Sequence, residues 1–140
     1  MILGYAIVVA VFWSISPVVY KYALGTANQS SIIFISAIIY FILALIYFVF
    51  ARGNIIKDSS KLLRKDILGW LILANVTTFL GQIIYMYALD NHKSHVITAL
   101  AFTSPLFTLL LAWMFLKEQV TTKSIIGVIT IVIGVILLSH

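Results

Sequence analysis

The sequence predicts an all-α integral membrane fold, a bundle of five transmembrane helices, on three observations. Five apolar stretches recur at even spacing, at 2–20, 32–50, 67–89, 96–116 and 125–138. A hydrocarbon core about 30 Å thick takes about 20 helical residues at ~1.5 Å each. Four stretches meet that length, and the fifth spans if its polar ends reach the interface. The composition agrees, with 63% hydrophobic and 9% charged residues and a mean hydropathy of +1.15, against about 25% charged in a soluble domain. The nine Lys and Arg residues lie between the stretches or at their edges, where topology determinants belong. Helices are expected over about 2–21, 31–51, 67–89, 95–116 and 124–139, with short connections and no extramembrane domain.

The first helix has no basic leader, runs longer than a signal peptide's apolar core and meets Pro17 and Lys21 where a cleavage site would lie. It reads as a permanent span. Trp13, Ser14, Ser16 and Pro17 interrupt it, and Pro17 removes one backbone hydrogen bond. The interruption is either a hinge with Trp13 on a pathway or a static kink. The second helix is apolar and carries no basic residue between 31 and 50. In the third, Asn75, Thr78, Gln82 and Tyr85 step by three, four and three residues, which puts them on one stripe. Such a stripe lines a path for an uncharged or zwitterionic solute, or serves as interhelical glue worth about 0.6 kcal/mol per bond. The fourth helix repeats the interruption with Thr103, Ser104 and Pro105. In the fifth, Gly127 and Gly134 share a face suited to close contact, within the chain or across a dimer. Thr121 or Thr122 can cap that helix, and Glu118 reads as an ion-pair or capping residue.

The basic residues orient the chain. Arg52, Lys57, Lys61, Arg64, Lys65, Lys117 and Lys123 fall on the side of the N-terminus, and only Lys21 and Lys93 on the other. That imbalance predicts a cytoplasmic N-terminus and an external His140. It also explains the net charge of +5 without a nucleic-acid partner. Cysteine is absent, so disulfides and thiolate chemistry are excluded. No Asp or Glu lies mid-span, which disfavours exchange of a proton for a cation on a carboxylate. Asp90, His92 and His95 form a weak metal signal in a short turn, so no metal is expected. No nucleophile–base pair or phosphate-cradling glycine loop occurs, and neither enzymatic chemistry nor a cofactor is expected.

Several motifs share one order and spacing across the chain. Trp13-Ser14 and Lys21 mark the first helix, Tyr87-Ala88-Leu89 end the third and Ser104-Pro105-Leu106 lie in the fourth. Leu116-Lys117-Glu118 and Thr121 form the next turn, and Gly127 and Gly134-Val135 follow in the fifth. The whole of 1–140 resembles a single EamA-like domain of the drug/metabolite transporter superfamily, apart from an Arg that the family's second helix often bears. The resemblance implies a transporter, and together with the neutral polar stripe it makes Trp13, Ser14, Asn75, Thr78, Gln82, Ser104 and Pro105 the expected substrate-lining set. Such transporters usually carry two inverted repeats with the substrate between them, so one repeat implies a dimer. The charge bias makes a second five-helix chain of opposite bias the favoured partner over a homodimer. Export of a small polar metabolite across a prokaryotic plasma (inner) membrane is the leading expectation. A subunit of a lipid-linked sugar flippase, or a non-transporting interaction subunit, is the alternative.

Overall fold

Without water the backbone satisfies its hydrogen bonds in a helix or a closed barrel, and continuous runs of Ile, Leu, Val and Phe, too long and too uniformly apolar for alternating barrel strands, select the helix. The computed structural model describes residues 2–139, and every regular element in it is helical: α1 (Ile2–Leu24), α2 (Gln29–Leu62), α3 (Lys65–Asn91), α4 (Ser94–Ala101), α5 (Ser104–Leu111) and α6 (Thr122–Ser139). A π-helical turn, Ala112–Leu116, extends α5. Four segments are long and apolar enough to cross a membrane, with Ser94–Leu116 counted as one, and Thr122–Leu138 is shorter. The expected external position of His140 falls outside the described residues.

The chain divides into two compact units. Unit 2, Tyr22–Asp90, is the α2–α3 hairpin. Its start is fixed by the turn after α1, where the backbone N–H groups of Thr26 and Ala27 and the Thr26 hydroxyl all donate to the Ala23 carbonyl at 2.9 Å. Asn28 then caps α2, its Oδ1 accepting from the Ser31 N–H at 2.8 Å. At the same end, Gln29 Nε2 donates to Asp90 Oδ2 at 2.8 Å, tying the start of α2 to the end of α3. Helix α2 runs past the expected limit at 51 to Leu62. Its polar last turns keep the backbone ladder intact outside the apolar region and gain a Lys61–Asp58 pair at 2.9 Å. No residue of α2 is buried.

Unit 1, Met1–Lys21 with Asn91–His140, holds most of α1 and everything from α4 onward. Helix α6 packs on α4 and α5. The ends of α1 and α6 meet the start of α4 around one cavity, so α1 and α6 run the same way and α4 runs opposite. The helix expected over 95–116 is broken at Phe102 and Thr103. Pro105 has no N–H and its ring crowds the carbonyl four residues back. The break is closed by Thr103 Oγ1 donating to the Leu100 carbonyl at 2.7 Å and by the Phe102 N–H donating to the Thr98 and Ala99 carbonyls. Pro17, by contrast, sits buried inside an α1 that runs through it.

The turn between α5 and α6 reverses the chain through Lys117, whose φ of 53° and ψ of 32° are left-handed. The Glu118 N–H then donates to the Ala112 carbonyl at 3.3 Å, and Thr121 Oγ1 accepts from the Ser124 N–H at 3.2 Å to cap α6. Lys117 is the single non-glycine residue with positive φ among the described residues, a conformation that costs an L-residue about 1–2 kcal/mol. Lys117→Gly is therefore expected to raise stability by about 0.5–1 kcal/mol, and Lys117→Val to lower it by about 1 kcal/mol or more. Both remove the charge, so thermal unfolding in an uncharged detergent isolates the backbone term. Equal midpoints for the two variants would contradict it.

Candidate functional site

The seven expected pathway residues fall in both units. Trp13, Ser14, Ser104 and Pro105 belong to unit 1, and Asn75, Thr78 and Gln82 to unit 2.

On α3 the polar stripe is present, and its members differ in how their hydrogen bonds are met. Asn75 Nδ2 donates to the Leu71 carbonyl at 2.8 Å, and Thr78 Oγ1 donates to the Ala74 carbonyl at 2.8 Å. Thr77, one residue off the stripe, donates to Leu73 and Ala74 at 2.9 and 3.0 Å. These are bonds back to the same helix, which satisfy the hydroxyls without tying α3 to a neighbour. The Asn75 amide oxygen and the half-buried Gln82 amide make no hydrogen bond among the described residues. Two amide acceptors and a full amide donor set thus have no hydrogen-bond partner among the described residues.

In unit 1, Ser104 and Pro105 line a cavity of about 420 Å³ between α5 and α6. Thr108, Glu118, Gln119 and Ser124 line it with them. Sequence reasoning missed Thr108, Gln119 and Ser124. The signal was there for Thr108, since Ser104, Thr108 and Ala112 repeat every four residues and so share one helix face. The Glu118 carboxylate makes no ion pair and no capping bond among the described residues. Its expected ion-pair or capping role is not met, and it faces cavity space instead. Leu109, Val120 and Val128 are shared with a second cavity of about 410 Å³ that is apolar throughout, lined also by Leu106, Trp113 and Ile125. Trp13 and Ser14 line neither. Trp13 is 65% exposed, and Ser14 Oγ donates to the Val11 carbonyl at 2.8 Å within α1.

A Cβ built on Gly127 or Gly134 meets nothing within 4 Å. Among the described residues, no side chain or neighbouring backbone closes on this glycine face.

The EamA-like transporter family model matches residues 1–140. The uncharacterized protein MJ1333.1 of Methanocaldococcus jannaschii is 36% identical over 75 residues, 54% of this chain and 55% of that protein. A protein of Brucella anthropi named as a riboflavin transporter is 29% identical over 84 residues, 60% of this chain and 30% of that protein. The alignments thus span about half of the first relative and under a third of the second. No solved structure matches the chain.

Because the threonine hydroxyls of α3 bond their own helix, Thr77→Val and Thr78→Val should change stability by no more than about 0.5 kcal/mol each. Thermal unfolding in detergent tests this. A loss of about 2 kcal/mol from either would mean that the hydroxyl ties α3 to another helix.

Proposed function

This chain belongs to the EamA-like transporter family, and we propose that it is a membrane transporter of a small polar metabolite, working as a dimer of five-helix repeats. One observation carries the reading. Asn75 and Gln82 stand two turns apart on one stripe of the apolar α3, and part of their hydrogen-bonding capacity is unmet among the described residues. An unsatisfied amide in hydrocarbon costs several kcal/mol, about 4–8 on the water-to-alkane scale. A second repeat and a polar solute remove that cost together, the repeat by covering the stripe and the solute by bonding to it.

Pairing has further support. The bacterial relative is about twice this chain's length, since 84 aligned residues make up 30% of it. Gly127 and Gly134 offer an open face at which another helix can approach closely. The bias of seven basic residues to two favours a cytoplasmic N-terminus. It also favours a partner chain of the opposite bias over a second copy. Outward movement is the direction we favour, and archaeal and bacterial relatives support a prokaryotic plasma membrane.

A second reading, a subunit of a lipid-linked sugar flippase, is favoured by the paired cavities of α5 and α6. An apolar space suited to an acyl chain adjoins a polar one bearing Ser104, Thr108 and Glu118. A chain that moves a lipid-linked sugar between leaflets, and no soluble metabolite, would establish this reading over the first.

The transport reading is tested in membrane vesicles with a panel of polar metabolites that includes riboflavin, the solute in the bacterial relative's name. Asn75→Leu and Gln82→Leu should each cut flux by about tenfold or more, equivalent to about 1.4 kcal/mol, with expression and pairing intact. Wild-type flux from both variants would remove the stripe from the mechanism.

A further inference from the structure

Three cavities of unit 1 meet at Val120, in the turn between α5 and α6. The largest of them, about 610 Å³, is lined by Trp113, Met114, Lys117, Glu118, Gln119 and Val120. It shares Trp113 and Val120 with the apolar cavity of about 410 Å³. Both volumes fall in the range of about 300–1,000 Å³ that ligand pockets occupy. The apolar segment Ser94–Leu116 ends one residue before Lys117, which sets the charged cavity at the membrane surface. The apolar cavity is walled by that segment itself, through Leu106, Leu109 and Leu110. A charged space at the surface thus continues into a greasy one beneath it.

Lys117 and Glu118 bring opposite charges to this one cavity without pairing. Among the described residues neither makes an ion pair, and neither side chain makes a hydrogen bond. Beside hydrocarbon each charge has lost part of its hydration, and a partner of opposite sign at each is favourable. A ligand that answers both carries an anion and a cation a few bonds apart. A soluble zwitterion would leave the adjoining apolar cavity unused, whereas an amphiphile fills both spaces. Trp113, shared by the two cavities and exposed, is the residue type that anchors at headgroup level. We propose that these joined cavities bind a phospholipid whose headgroup carries a phosphate and a primary ammonium. Lys117 donates to the phosphate, Glu118 accepts from the ammonium, and an acyl chain lies along Leu106, Leu109 and Leu110. The site requires no movement of the lipid. It therefore stands apart from both readings of function, and retention at equilibrium tests it.

The full chain, purified in an uncharged detergent, is equilibrated with micelles holding phosphatidylethanolamine, phosphatidylcholine and phosphatidylglycerol of identical acyl chains. The lipid retained after gel filtration is then quantified. Phosphatidylethanolamine should be retained about threefold or more over either competitor. A quaternary ammonium has no N–H to donate to Glu118, and a glycerol headgroup has no cation. Glu118→Gln should erase that preference. Lys117→Gly, which the left-handed backbone accepts, should lower retention of all three lipids by a similar factor. Lys123→Gln, in the first turn of α6 but lining none of these cavities, should change neither. Equal retention of the three lipids by the unmodified chain overturns the proposal, and that result needs no variant to fold. A preference that survives Glu118→Gln, or equal losses from Lys117→Gly and Lys123→Gln, overturns it as well. Displacement of the lipid by an equimolar amount of soluble glycerophosphoethanolamine would do the same, since the apolar cavity would then contribute nothing.

Discussion

Hydrocarbon offers a peptide group nothing to bond to, and the architecture of this chain follows from how each backbone polar group is met without water. Within the long helices the ladder meets them. At their ends and breaks, side chains do so: Asn28 at the start of α2, Thr103 at the break before α5 and Thr121 at the start of α6. The same rule applied to side chains separates two kinds of polar group along α3. Thr77 and Thr78 are satisfied by their own helix, whereas Gln82 is not. Groups that the chain does not satisfy are the ones available to something else.

Little of either unit is buried. Among the described residues, Met86, Leu89 and Val135 are the buried hydrophobic side chains apart from Pro17, and α2 contributes none. In water such exposure would be prohibitive, but lipid tails are as apolar as Leu and make no demand for a dry core. Helix association must then come from close approach and from polar contacts. The open glycine face of α6 and the amides of α3 supply one of each. The proposed second repeat would use both.

The sequence reads well where length and polarity decide. Apolar runs gave the helices, and the spacing of Asn75, Thr78 and Gln82 gave the stripe, because both are periodic properties of a helix. It reads poorly where two local interactions compete. Pro17 and Pro105 look alike in sequence, yet α1 continues through the first and the chain breaks before the second. Two residues before Pro105 stands Thr103, whose hydroxyl takes the Leu100 carbonyl and stabilises a turn; the same place before Pro17 is Ile15, which has no such group. The reach of α2 to Leu62 escaped hydropathy because polar residues extend a helix as readily as they form a loop. Thr108, Gln119 and Ser124 escaped because a cavity between two helices depends on how those helices meet, which single-helix periodicity does not encode.

The central claim, that the α3 stripe borders an aqueous path and not lipid, has a direct measurement. The chain has no cysteine, so single substitutions report cleanly. A thiol reacts with a water-soluble maleimide only where water lets it ionise. In membranes, with the chain assembled, Gln82→Cys should be labelled and Ile84→Cys, on the opposite side of α3, should not. Equal protection of both positions, or labelling of Ile84→Cys alone, would contradict the account.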